Sequence, residues 1–301
     1  MSWGKRAAAA RIRPPASLGL VQPFLVMGVV NVTPDSFSDG GQFLDADAAI
    51  AHGLALRSEG ADVLDVGGES TRPGAAPVSA EEERARVEPV VAALAAQGAR
   101  VSIDTTKASV ARAALAAGAT YVNDVSALRF DPELAGVVAA AGVDCCLMHM
   151  RGEPRTMQDD PRYEDVVSDV KAHLEERIAF AVREGIAEER IHVDPGIGFG
   201  KTLEHNLELL RRLDEIAALG RPVVVGASRK SFLGKLTGRE VGDRVAATVA
   251  ANVLAFARGA RVFRVHDVAP TRDALAVAAA TLRRWEPTTT TSAATSWTTT
   301  T

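Results

Sequence analysis

FLVMGVVNVTPDSFSDGG, residues 24–41, decides between two folds. Its first half, FLVMGVVN (24–31), is a Val-rich apolar run of the kind a parallel strand buried on both faces requires. Its second half is the discriminating part. An open, doubly wound sheet that binds nucleotides wants a glycine-rich phosphate fingerprint directly after its first strand. VTPDSFSDGG contains no G-x-G-x-x-G. A (β/α)8 barrel makes no such demand.

Seven more apolar runs follow at 61–68, 99–105, 120–126, 143–150, 191–196, 222–228 and 260–267. Between them lie Ala/Glu/Arg/Leu stretches with helical spacing, such as SAEEERARVEPVVAALAAQG and NLELLRRLDEIAALG, several ending in Gly. Ser79 with Glu82 fits a capping box. Eight strands, each followed by a helix, predict a single-domain α/β protein, a (β/α)8 TIM barrel, over 21–284. Residues 1–20 read as a flexible extension, and 285–301 as a Thr/Ser/Ala tail too poor in apolar residues to fold. The longest strand-to-helix connections, VTPDSFSDGGQFLD and ESTRPGAAPV, follow the first two strands and suit mobile loops.

Bulk properties narrow the function. A net charge of −4 argues against a broad nucleic-acid surface. The two cysteines, Cys145 and Cys146, are adjacent in an apolar run and read as buried thiols of a reducing, cytoplasmic protein. No apolar run reaches the roughly 18 residues of a membrane span, and the N-terminus lacks a secretory signal.

DPGIGFGKT (194–202) ends like a phosphate-binding P-loop. The spacing fails, because Gly196 and Gly200 are separated by three residues rather than four, and Pro195 stands where the first glycine belongs. In a barrel, this Asp instead ends strand six, and the active site lies at the C-terminal ends of the strands. The other strands end in Asn31, Glu69 to Arg72, Asp104, Asn123–Asp124, Met148–His149, Ser228 to Lys230, and Arg264, His266 and Asp267. Each has a plain alternative. Short Asn, Asp and Ser side chains cap helices, Arg264 could pair with Asp267, and His266 and His149 could serve the packing. Convergence of polar groups on one mouth favours a site. Asp194 could take two parallel N–H bonds from an amidine-like ring edge, such as a 2-aminopyrimidinone. Asp104 and Asn123 could read the rest of that ring, with Lys230 as a donor. Arg264, His266 and Asn31 could hold a diphosphate, with Asn31 offering an oxygen to Mg2+.

MGVVNVTPDSFSDGG (27–41), DVGGESTRPGA (65–75), DPGIGFGKT (194–202), GASRKSFLG (226–234) and RVHDV (264–268) together resemble the dihydropteroate synthases of the bacterial folate pathway, over roughly residues 24 to 284. The resemblance implies condensation of 6-hydroxymethyl-7,8-dihydropterin diphosphate with p-aminobenzoate to 7,8-dihydropteroate and diphosphate. It implies a homodimer, Mg2+ and competition by sulfonamides. Asp104, Asn123, Asp194 and Lys230 then bind the pterin, and Asn31, Arg72, Arg264 and His266 the diphosphate and metal. Thr71, Pro73, Phe199, Ser228, Arg229 and Lys230 match the p-aminobenzoate side. Asp35 and Phe37 lie in the first loop and, with Asp104, Asp194 and Lys230, match the catalytic set. A pterin-binding corrinoid methyltransferase and a non-catalytic paralogue are the alternatives; SRKS and RVHD speak against the first.

Overall fold

The computed structural model describes residues 23–33, 42–71 and 74–282. Eight parallel strands close in sequence order: β1 (Leu25–Asn31), β2 (Val63–Gly67), β3 (Val101–Asp104), β4 (Tyr121–Asp124), β5 (Asp144–Met148), β6 (Ile191–Asp194), β7 (Val223–Val225) and β8 (Ala260–Val265). Closure is direct, with Leu25 of β1 beside Val262 of β8 and Gly28 beside Val265. The barrel is therefore the fold, as the loop after the first strand predicts.

The helices ring it: α1 (Gln42–Ser58), α2 (Ala80–Ala96), α3 (Ala108–Ala116), α4 (Leu134–Ala141), α5 (Val166–Arg183), α6 (Leu203–Arg211), α7 (Leu213–Ala217), α8 (Ser231–Thr237), α9 (Val245–Ala257) and α10 (Val268–Leu282). Helix α2 shows how the pattern works. Val87, Val90, Val91 and Leu94 fall at helical spacing and all are buried, each contributing about 2 kcal/mol of burial. Ser79 caps it, accepting from the Glu82 N–H at 3.2 Å. The Glu82 carboxylate meets Arg86 on the same helix, an i,i+4 pair, so it is not directed at the cap.

Two details differ from the sequence reading. NLELLRRLDEIAALG is two helices, α6 and α7, broken at Arg212, where the backbone leaves helical geometry and the guanidinium is held by Asp165 at 2.6 Å and by Glu215. An additional helix, α8, follows Lys230 directly. The N-terminal extension and the Thr/Ser/Ala tail lie outside the described residues.

Inside the barrel, Met27, Val63, Tyr121, Cys146, Val224 and Val262 form one buried apolar layer drawn from six strands. The Tyr121 hydroxyl meets His192 Nδ1 at 2.7 Å within it. This layer is the floor on which the site stands. A larger apolar shell lies between strands and helices. Both cysteines are buried, and burial pushes their thiols up. Among the described residues, no helix is long and apolar enough to cross a membrane.

Candidate active site

Side chains two residues apart on a strand face the same way. Two residues beyond Val63, Tyr121 and Val262 stand Asp65, Asn123 and Arg264, so the inward face turns polar directly above the apolar floor. These groups bond across the barrel. Arg264 donates from Nε to Asp65 Oδ2 at 2.6 Å and from Nη2 to Asp104 Oδ2 at 2.8 Å. Asn123 Nδ2 donates to the same Asp65 oxygen at 3.2 Å. Removing the guanidinium would leave buried Asp65 and half-buried Asp104 without a counter-charge, at a cost of about 3–5 kcal/mol.

Asp194 closes β6 and is buried. Its Oδ1 accepts the Gly196 N–H at 2.6 Å. A side chain at Gly226 would start 3.9 Å from Arg264 Cβ, 3.9 Å from Lys230 Nζ and 4.0 Å from Asp194 Oδ2. One space, kept open by that glycine, is thus bounded by the carboxylate, the ammonium and the arginine. Lys230 donates from Nζ to the Ile197 carbonyl and lies 4.3 Å from the centre of the Phe199 ring.

The charges are finely poised. Burial pushes Asp104 up to about 7 against the pull of Arg264, with Asp65 and Glu83 adding to the rise. Burial pushes Lys230 down to about 7, against the attraction of Asp194. Burial also raises Asp194, opposed by Lys230 and the Gly196 N–H. Burial works against the Arg264 charge, but Asp65 and Asp104 hold its proton more firmly still.

At the rim, Ser228 Oγ meets His266 Nδ1 at 3.0 Å and accepts the His266 N–H at 3.1 Å. Asn31 ends β1 beside Gly67. Thr71 is half-buried just beyond β2. Asp35, Phe37, Arg72 and Pro73 lie outside the described residues.

Two arginines make ion pairs that the sequence does not show. Arg264 is held inside the barrel by Asp65 and Asp104, and not by Asp267. Asp267 instead takes both donors of Arg229, at 2.5 and 2.9 Å. Arg229 has a left-handed backbone, φ 56°, steadied by its N–H on Thr248 Oγ1 at 3.0 Å. Its guanidinium therefore braces the turn after β7. Asp124, the neighbour of Asn123, follows the plain alternative: it points away and accepts the N–H groups of Ser126 and Leu128 at 2.7 and 2.6 Å.

The GKT triplet is accounted for by structure alone. Gly200 has φ 61°, and a Cβ there would stand 2.8 Å from the Arg151 carbonyl oxygen. Lys201 is buried, its Nζ 2.9 Å from the Phe199 carbonyl oxygen, 2.9 Å from His149 Nδ1 and 3.5 Å from the His149 carbonyl oxygen. Thr202 caps α6 in a capping box with His205. His149, its proton affinity lowered by burial and then by Lys201, belongs to the packing.

Comparison with known proteins settles the family. The pterin binding enzyme family model matches residues 27–266. The dihydropteroate synthase of Neisseria meningitidis serogroup C is 49% identical over 262 residues, which is 86% of this chain and 92% of that protein. The chain belongs to the dihydropteroate synthase family. Two solved structures of the Xanthomonas albilineans enzyme extend the likeness. One, with 4-aminobenzoic acid, is 53% identical with a TM-score of 0.82, covering 87% of this chain and 93% of that one. The other, in complex with 7,8-dihydropteroate, is 50% identical with a TM-score of 0.78, covering 85% and 93%.

Asp65 is the functional candidate that strand-end reading missed. The signal was a lone carboxylate in the middle of VLDVG, an otherwise apolar strand buried on both faces. A carboxylate there requires a partner, and Arg264 is that partner.

Proposed function

We propose that this site joins 6-hydroxymethyl-7,8-dihydropterin diphosphate to p-aminobenzoate by a dissociative, SN1-like substitution, releasing diphosphate. The transfer of a pterinylmethyl group is the activity of the family to which the chain belongs. The observation that carries the mechanism is the inward layer of Asp104, Asn123 and Asp194 with Lys230 over one space at the strand ends.

Asp194 binds the amino-pyrimidinone edge of the pterin, where a charge-assisted pair of hydrogen bonds fits a carboxylate. Asp104 and Asn123 hold the rest of the ring from β3 and β4, and Lys230 donates to a ring carbonyl or nitrogen. The C–O bond breaks with its electron pair going to diphosphate. The positive character left on the pterin methylene is stabilised by Asp104 and Asp194. The neutral amine of p-aminobenzoate forms the C–N bond and then gives up a proton. It is a weak nucleophile, so positioning against Phe199 and Ser228 matters more than a general base.

Asn31 and His266 serve the leaving diphosphate. The Asn31 amide oxygen suits Mg2+, an ion that binds through one or two protein oxygens plus phosphate and water. Among the described residues no group of three His, Cys, Asp or Glu forms a cage, which fits an ion carried by the diphosphate. Bound there, Mg2+ would neutralise charge on the departing group.

Incubation with the pterin diphosphate, p-aminobenzoate and Mg2+ should give dihydropteroate, and EDTA should abolish it. Tight pterin binding without product would refute the synthase reading. A transition state with strong bonding to the attacking amine, read from kinetic isotope effects, would refute the dissociative one. A cytoplasmic homodimer completes the proposal. Its dimeric part draws support from Leu254 of α9 and Val277 of α10, 61% and 68% exposed, and sedimentation tests it.

A further inference from the structure

The segment after β2 is tied down at its base by groups that no substrate role explains. Glu69 Oε1 accepts the Val78 N–H at 2.8 Å, joining the two ends of the segment. Its other oxygen, Oε2, receives Lys107 Nζ at 2.7 Å. Lys107 comes from the exit of β3, three residues after Asp104, and its own N–H is fixed on Thr105 Oγ1 at 3.2 Å. The same ammonium reaches Glu83 Oε2 on α2 at 2.5 Å, and Glu83 is fully buried. Gly68, next to Glu69, offers its carbonyl to Arg86 of α2 at 2.8 Å. Space there is closed, since a Cβ on Gly68 would stand 2.8 Å from Val87.

We propose that Glu69 and Lys107 are positioning residues for p-aminobenzoate, holding the segment that carries Thr71 in register with the pterin strand β3. The argument rests on the function proposed above. The geometry makes a chain from Asp104 through Lys107 and Glu69 to Val78. Asp104 faces the pterin and Thr71 the p-aminobenzoate side, two residues from Glu69. A fault at Glu69 therefore shifts the second substrate against the first while leaving the pterin groups on their strands. Neither residue lies in the inward layer, so neither touches the ring-binding carboxylates.

Glu69→Ala removes both bonds. It should raise KM for p-aminobenzoate by roughly ten-fold, the scale of one well-made hydrogen bond lost, with the pterin Kd, read by calorimetry, within about two-fold of wild type. Glu69→Gln keeps an acceptor for Val78 and weakens only the tie to Lys107, so its effect should be smaller. Lys107→Arg, which preserves the charge, should restore more function than Lys107→Met, which strands buried Glu83 and risks misfolding. Hydrogen exchange at the Val78 amide gives a readout independent of turnover, and protection should fall in Glu69→Ala. An unchanged p-aminobenzoate KM in Glu69→Ala, or an equal loss of pterin affinity, would overturn the proposal. Wild-type protein without synthase activity would overturn the parent reading and the positioning role with it, even if Val78 loses protection.

Discussion

The turns after β6 and β7 each end in a lysine at the mouth of a helix, Lys201 buried and Lys230 half-buried. Lys201 spends its amine on the protein, between Phe199, the His149 ring and the His149 carbonyl. Lys230 donates to one carbonyl, covers Phe199 and borders the space shared with Asp194 and Arg264. For both, burial is the first cause of a lowered proton affinity. The lesson is that burial does not mark a binding residue. What separates the two is whether the protein has already taken all the hydrogen bonds the group can make.

That difference is broken most directly by removing each amine in turn. Lys230→Met should lose the donor to the pterin and the counter-charge of Asp194, lowering pterin affinity by about 3 kcal/mol, or 10²-fold or more. Its thermal stability should hold, because a half-buried amine with one protein acceptor contributes little to folding. Calorimetric titration of pterin beside a melting curve checks both. Wild-type affinity with a depressed Tm would invert the roles of the two lysines.

Lys201→Met should do the reverse. It leaves the Phe199 carbonyl and His149 Nδ1 unpaired in a buried cluster, costing about 2–3 kcal/mol of stability. Pterin affinity should fall only modestly, through a looser Phe199. Urea denaturation of the variant measures the first effect, and a binding loss larger than the stability loss would mean that Lys201 meets the ligand.

A smaller test uses the glycines between the lysine and Asp194. A Cβ at Gly198 would stand 2.8 Å from Lys230 Cδ, the far part of a flexible side chain, whereas one at Gly196 would stand 1.9 Å from the His149 carbonyl oxygen. Both have positive φ, 82° and 68°. Gly198→Ala should thus fold with about 1–2 kcal/mol lost and affect mainly Lys230. Gly196→Ala should lose more, since backbone must move. Similar melting temperatures for the two would show that the turn adapts more than its contacts imply.

How far the sequence goes follows the same division. Strand-end position makes Asp104, Asn123 and Asp194 visible, because alternation and the barrel's polarity together tell where they point. Asn123 and Asp124 are adjacent, and only the pairing register sends the first to Asp65 and the second to the turn. The partners of Arg264 are invisible for another reason: Asp65 and Asp104 lie 199 and 160 residues away, and only ring closure brings them together. The brace that Arg229 makes with Asp267 was not legible, because a brace and a ligand contact use the same donors. Lys201 misleads because Gly-Lys-Thr spells a phosphate loop, while left-handed glycine, buried cross-link and helix cap each have their own cause.

The most delicate separation of the lysine roles is by pH. Lys230 falls from an ordinary 10.5 to about 7, so between those values the unfolded chain holds a proton that the native one lacks. Stability contributed through this group therefore rises with pH across that window. Asp104 rises from 3.8 to about 7, so between those values the native state holds the extra proton and its contribution falls as pH rises. Binding follows from the same values: below about 7 Asp104 takes up a proton, and above about 7 Lys230 gives one up. Pterin affinity should peak near neutrality, with limbs of a few-fold per pH unit. Lys230→Arg keeps its charge throughout, so it should flatten the alkaline limb and leave the acid limb standing. An alkaline limb that survives in Lys230→Arg would assign it to another group, with Lys201 the first to test by Lys201→Met.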